Sequence, residues 1–275
     1  MFAKYILFIA IAVLSGHSLV HIWEGLSFWV AYPSLRGLGW LVPALSLGAI
    51  VSLSLCWSIK DYKAWRSLGE GGLPSNIFGW LIVTALRPMA GDVLDQSGFK
   101  KAIGTEQDQV HLSTLPVRVG PRPNVAEHAV PHRQITQRPS PEIMQELSDM
   151  FDQIVSNNPV KLHYKLSRYE KHNNAIWLQD VEGGNPSAGL QGEVGHFHPS
   201  DGSMHTILSP SDAKAIIDKG WGELHSLARF KRLLPSETYV MLYAPTTSSH
   251  IATIKQIMEA AVRYALPINE NTINL

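Results

Sequence analysis

The chain has 275 residues, 23 basic and 23 acidic side chains, a formal charge of zero and an apolar fraction of 45%. Zero net charge excludes a broad electrostatic case for nucleic-acid binding, and a single cysteine, Cys56, excludes both an internal disulfide framework and a cysteine-rich zinc module. The averages hide an asymmetry: residues 1–59 carry only three charged side chains, Lys4, Glu24 and Arg36.

Two stretches of that head are long and apolar enough to span a bilayer, which takes about 20 residues. Tyr5 to Trp23 is apolar apart from Ser15, His17, Ser18 and His21, and Leu38 to Ile59 holds no charge. Together they predict an N-terminal transmembrane helical hairpin. Trp23, Trp29, Tyr32, Trp40 and Trp57 lie near its edges, where amphipathic rings prefer the interface. Lys4 precedes the first stretch, and Lys60, Lys63 and Arg66 follow the second. The positive-inside bias therefore puts both ends and the body in the cytosol, as a multi-pass membrane protein. The first stretch also fits a cleaved signal peptide loosely, in which case the second still anchors the chain. His17 and His21 share one helical face, as a polar helix–helix contact or a metal pair. A third apolar stretch, Ile77 to Leu86, is too short to span and reads as an interfacial or buried helix beside the membrane.

Residues 91–141 are rich in Pro, Gly, Arg and His. Composition leaves two forms open, a disordered linker or an ordered strap around a domain. Beyond them, Ile143, Leu147, Met150, Phe151 and Ile154 recur at helical spacing. Val160, Leu162, Tyr164 and Leu166 alternate as in a half-buried strand, and further strands are expected at 175–178, 192–198, 204–208 and 238–243. A helix capped by Ser209 or Ser211 is expected near 211–219, and Ile251, Ile254, Ile257, Met258, Ala261 and Val262 define a final one. Strands that follow one another without intervening helices predict an α+β fold with a largely antiparallel sheet and flanking helices. The division expected is a membrane anchor at 1–60, a juxtamembrane segment at 61–109 and the α+β domain at 110–275. No dinucleotide fingerprint, P-loop, serine-hydrolase elbow or zincin motif is present.

The most informative run is Glu193 to His205, EVGHFHPSDGSMH. Asp201-Gly202 signals a tight hairpin. With those two residues at its centre, His198 pairs with His205, and His196 shares their face. Pro199 is awkward in such a ladder. Three neutral imidazoles on one face can hold a divalent metal, act without one as acids and bases, or form a polar solvated surface. Glu193 has the wrong parity to join them unless the strand bends. Asp201 is a turn former or a ligand. Gly220-Trp221-Gly222 lays a tryptophan flat against a ligand or the core, His225 offers a fourth imidazole, and Tyr243 ends the last strand as a core or site residue.

At these residues the chain resembles the fungal luciferase family. The resemblance is carried by Glu193-x-x-His196-x-His198, Asp201-Gly202-Ser203-x-His205, Lys219-Gly220-Trp221-Gly222-x-x-His225-x-Leu227-Ala228 and Leu242-Tyr243-Ala244-Pro245. Weaker likeness runs through Leu115-Pro116, Arg122-Pro123, His128 and Gln134, so that it covers roughly residues 60–266. The resemblance implies a membrane-associated oxygenase that adds molecular oxygen to an enolic 3-hydroxy-α-pyrone derived from hispidin, without an organic cofactor. It implies catalytic roles for His196, His198, His205 and His225, and substrate contacts from Glu193, Asp201, Trp221, Tyr243 and His128. Any divalent metal would sit on His196, His198 and His205. Two expected spans where the luminous proteins carry one anchor, and a shorter hairpin between His198 and His205, point to a non-luminous relative. The expected partners are a small-molecule substrate and the lipid bilayer. The competing classes are a non-catalytic membrane-anchored ligand- or metal-binding scaffold and a metal-dependent hydrolase or isomerase.

Overall fold

The computed structural model describes residues 41–105, 108–180, 184–185, 191–230 and 232–267. It divides the chain into two compact units, residues 1–61 and 62–275. Helix α1, Leu41–Ser67, is the one helix among the described residues that is long and apolar enough to cross a membrane. Its side chains Leu45, Leu47, Leu53 and Leu55 are exposed. A helix apolar on every side has no water-facing stripe, so its natural surroundings are other apolar groups. The first of the two expected spans lies outside the described residues.

Helix α2, Ile77–Leu86, begins where the Asn76 side chain accepts from the amides of Phe78 and Gly79. Sequence left it interfacial or buried; one face is buried and the other is exposed. Trp80 and Val83 pack with Trp65 and Leu68 in a small satellite core. Ile77, Phe78, Leu81 and Ile82 face outward.

The α+β body contains α3 (Pro141–Ser156), β1 (Leu162–Leu166), β2 (Asn174–Leu178), β3 (Glu193–Phe197), β4 (Met204–Ile207), α4 (Pro210–Asp218), β5 (Gly222–Leu224), β6 (Tyr239–Leu242) and α5 (Ser248–Ala265). All three helices start on hydroxyl caps, with Ser140, Ser209 and Thr247 accepting from the backbone amides of Ile143, Asp212 and His250. The six strands form one sheet in the order β1-β2-β3-β4-β6-β5, antiparallel throughout. The expected strand count is corrected by one. Residues 222–224 pair with β6, but three residues are too few to show a period of two.

One face of the sheet packs against α3, α4 and α5, and there Leu147, Phe151, Ile176, Val240, Leu242, Ile254 and Ile257 form the main core. The proline-rich segment wraps the body and is a strap, not a linker: Leu112 and Leu115 join the helix-side core, while His132 reaches the opposite face beside His205 and His225. Arg118 N–H donates to the Lys219 carbonyl, Arg122 Nη1 to the Gly222 carbonyl at 2.7 Å, and Trp221 Nε1 to the Pro116 carbonyl at 2.7 Å. Further along, Val125 and Gln134 form a β-bridge that closes a loop whose His132, Arg133 and Gln134 are buried.

Candidate functional site

The hairpin register differs from the expected one. His196 is opposite His205, and Phe197 is opposite Met204. His198 N–H donates to the Ser203 carbonyl at 2.8 Å, so the loop is four residues, Pro199 to Gly202. Pro199 has no N–H to extend the ladder, and Gly202 takes a φ of +75°. The slip is two residues, and an even slip leaves every side chain on its face. His196, His198 and His205 therefore still share a face.

Glu193 joins them by a mechanism that sequence parity hides. The β2–β3 register shifts between Ile176, opposite Gly195, and Trp177, opposite Glu193. This bulge turns Glu193 to the histidine face. Its Oε1 is 2.8 Å from His196 Nδ1 and accepts from Ser167 Oγ at 2.9 Å, while Oε2 accepts from the Arg168 amide at 2.8 Å.

The result is a cluster of five imidazoles. His205 lies 5.1 Å from His198, 5.6 Å from His196, 5.3 Å from His132 and 5.7 Å from His225, measured between ring centroids, and it stacks on Tyr239 at 4.9 Å. His196 is 1% exposed and His198 0%, which excludes the solvated-face alternative.

Hydrogen-bond partners assign the tautomers. The Glu193 carboxylate can only accept, so His196 Nδ1 carries the proton. Ser203 Oγ donates its single hydrogen to Asp201 Oδ2 at 2.8 Å, so it accepts from His198 Nδ1 at 2.9 Å. His205 Nδ1 donates to the Val240 carbonyl at 3.2 Å. These three rings thus carry their lone pairs on Nε2, and neither His196 Nε2 nor His198 Nε2 has a hydrogen-bond partner. His225 is reversed. Its Nδ1 accepts from the Leu227 amide at 3.1 Å, and the ring also bonds the backbone at Ala129. It holds the strap and presents no lone pair to the other histidines.

Burial pushes the pKa of His198, His205 and His225 well below the usual imidazole value. Arg133 and the neighbouring rings push His198 and His205 further the same way. Burial also pushes Tyr239 well above the usual phenol value, with Glu193 and Glu170 adding to it. At neutral pH His198, His205 and His225 are therefore neutral and Tyr239 keeps its proton.

Three residues that sequence did not place in the site complete it: His132, one of the five imidazoles, Glu170 and Arg133. Ser167 Oγ accepts from the amides of Tyr169 and Glu170, and the turn so formed delivers Glu170 to the histidines. Glu170 Oε1 lies 3.6 Å from His198 Nε2. Arg133 grips Glu170 with both guanidinium nitrogens, at 3.0 and 2.5 Å, and donates to the Glu70 carbonyl at 2.8 Å. The adjacent His132-Arg133-Gln134, three polar residues in a proline-rich run, was the available signal for Arg133; Glu170 had none.

The other expected substrate contacts fall elsewhere. Asp201 accepts from the Gln134 amide at 2.6 Å and braces Ser203, with burial raising its pKa. Tyr243 donates to Glu223 Oε2 at 2.7 Å, and Glu223 Oε1 meets His132 Nε2 at 3.2 Å, so this tyrosine stands behind the cluster. Trp221 packs in the helix-side core. His128 is buried within the strap. Two surface clefts, of about 230 and 470 Å³, are lined by residues including His111, Leu115 and Arg263 and by residues including Leu86, Arg229 and Phe230; neither lining contains a histidine of the cluster.

The fold and site thus define an α+β protein with a strap-covered histidine–carboxylate face, and residues 191–261, which hold four of the five histidines, match the luciferase domain. The chain is 27% identical to a luciferase of Armillaria gallica over 242 residues, 84% of this chain and 90% of that one. It is 28% identical to a luciferase of Armillaria mellea over 241 residues, 83% and 88% of the two chains, and 26% identical to one of Neonothopanus nambi over 235 residues, 80% and 86%. The chain is thus similar to fungal luciferases over most of its length and carries a match to the luciferase domain. No solved structure matches it significantly.

Proposed function

We propose that this protein is a membrane-anchored oxygenase or related tailoring enzyme of secondary metabolism, acting on an enolisable small molecule such as a 3-hydroxy-α-pyrone or polyketide. It is read as a non-luminous relative of the luciferases. The observation that carries the proposal is the pair of bare, fully buried Nε2 lone pairs on His196 and His198. A neutral imidazole in that state is a general base. In this reading His198 takes the enolic proton, Tyr239 donates to the resulting enolate, and molecular oxygen reacts at the carbanion-like carbon. His196 and His205 share the face, and Glu193, Ser203 and Asp201 position the rings. The test is oxygen uptake on a hispidin-type pyrone by detergent-purified protein. His198→Ala is expected to lower it by about 10²–10⁴-fold, the usual worth of a general base, with an unchanged far-ultraviolet dichroism spectrum. Uptake equal to wild type in that variant would sink the proposal.

A second reading, a non-catalytic scaffold holding a ligand or metal, is favoured by one observation, the complete burial of His198. It predicts binding without oxygen uptake.

We further propose that residues 1–60 anchor the body to a bilayer as a helical pair, with residues 61–109 beside the membrane and the domain of residues 110–275 in the cytosol. The exposed apolar length of α1 and the outward Ile77, Phe78, Leu81 and Ile82 of α2 support the anchoring. The chain is expected to stay in the membrane pellet through alkaline carbonate and to leave it in detergent. Its body should be cleaved by protease added outside sealed microsomes. Release by carbonate, or a protected body, would refute the corresponding half.

A further inference from the structure

Acceptors dominate the centre of the cluster. His196 Nε2 and His198 Nε2 are lone pairs without partners, and one ligand atom each from Glu170, His196 and His198 lies within 4.8 Å of the others. All three residues are buried. Acceptors facing one another out of water repel, and each bare one has lost its solvation without gaining a partner. A water has two hydrogens to share among the three. Arg133, the cation of the region, spends its Nη1 and Nη2 donors on Glu170 and on the carbonyls of Glu70 and His132.

We propose that Glu170, His196 and His198 form a binding site for one divalent first-row transition metal. Two imidazoles and one carboxylate are a borderline nitrogen–oxygen set, which suits zinc, iron, cobalt or manganese and disfavours calcium and magnesium. The supports that metal-binding histidines need are in place. Glu193 accepts from His196 Nδ1, and the Ser203–Asp201 pair accepts from His198 Nδ1, so each ring is oriented with Nε2 toward the site. Arg133 does not use up the carboxylate, since two oxygens offer about four lone-pair sites. A metal about 2.1 Å from each donor would draw the three to roughly 3.4 Å apart; His198 Nε2 and Glu170 Oε1 are already at 3.6 Å. His205, next to both histidines, borders the side left open. This set replaces His205 by Glu170 in the metal triad expected from sequence.

The inference rests on the histidine face of the proposed enzyme. With a metal bound the His198 lone pair is occupied, so the proton-taking role passes to the neighbouring His205, whose Nδ1 donates to Val240 and whose lone pair lies on Nε2. The test of the site does not depend on turnover. The full chain in detergent is freed of metal with a chelator and titrated with cobalt(II), followed by visible d–d absorption and competed with zinc. One cobalt per chain is expected, with a rise in melting temperature. Glu170→Gln and His198→Ala should weaken binding more than 100-fold and lose the thermal shift. Glu193→Gln, which leaves all three ligands, should weaken it by about 10–100-fold. His172→Ala, in a half-exposed side chain beside Glu70, should bind as wild type. Absence of stoichiometric cobalt and zinc, or binding indifferent to Glu170→Gln and His198→Ala, would overturn the assignment. Oxygen uptake by chelated, metal-free protein that also fails to bind cobalt would remove the metal site and leave the functional reading standing. Binding without uptake would do the reverse.

Discussion

Replacing Arg133 by methionine is expected to destabilise the folded body by about 3–5 kcal/mol, the cost of stranding a buried partner charge. Arg133 is 3% exposed and makes a bidentate pair with Glu170, itself 6% exposed. Its Nη1 and Nη2 also reach the carbonyls of His132 and Glu70. The guanidinium therefore ties together the loop after α1, the strap and the turn after β1. Methionine keeps most of the volume and removes every one of those bonds. The Glu170 carboxylate would then face bare histidine lone pairs with no cation beside it. For a body of some 200 residues the loss corresponds to a fall in melting temperature of about 6–20 °C. A double variant that also carries Glu170→Gln should recover part of the loss, because the stranded charge has gone. Lysine at 133 should rescue poorly, since an ammonium cannot reproduce the planar fork. A loss below about 1 kcal/mol in the single variant would mean that the pair is wet and contributes little.

The histidine face was readable in sequence to the extent that it is local. A strand's period of two places His196 and His198 together, and Asp201-Gly202 folds His205 back toward them. The turn was set two residues too short, and the face survived because the error was even. A slip of one would have sent His205 into the helix-side core. Glu193 shows the opposite case. Its place depends on a bulge against β2, and a single strand's pattern carries no record of its partner's register. Glu170 and Arg133 arrive from segments 37 residues apart, so nothing in the spacing of either marks the pair. The strap was ambiguous for a related reason. Proline-rich composition removes periodicity whether a segment is free or packed, and only the carbonyls and carboxylates that receive it decide which. Trp221 was misleading because flanking glycines permit close packing without saying against what. Here Gly222 lies against the Met241 carbonyl and Ile216, on the helix side.

The buried histidines also set a direction for stability against pH. In chelator-treated protein, stability is expected to fall steeply as pH drops from about 7 to about 5. The folded-state pKa values of His198, His205 and His225 lie well below the ordinary value, with burial the largest cause. In the unfolded chain the same residues titrate near 6.5. Between those limits the unfolded state binds more protons than the folded state, so stability rises with pH there and falls as pH is lowered. Above the unfolded pKa both states hold neutral imidazoles, and the contribution is flat. Each such histidine contributes a limiting slope of about 1.4 kcal/mol per pH unit, and three together about 4. Asp201, Asp212 and Glu259 act with the opposite sign, because burial raises their pKa and the folded state then holds the extra proton. Their effect is gained as pH falls through those raised values, so it offsets the histidines most at the acid end. Urea unfolding at closely spaced pH values measures the slope directly. His225→Gln keeps an acceptor and a donor for Leu227 and Ala129, and should reduce the slope by about a third. A stability profile flat from pH 7 to pH 5 would mean that the cluster is hydrated in the folded protein, and with it would go the neutral imidazole base on which the proposed chemistry depends.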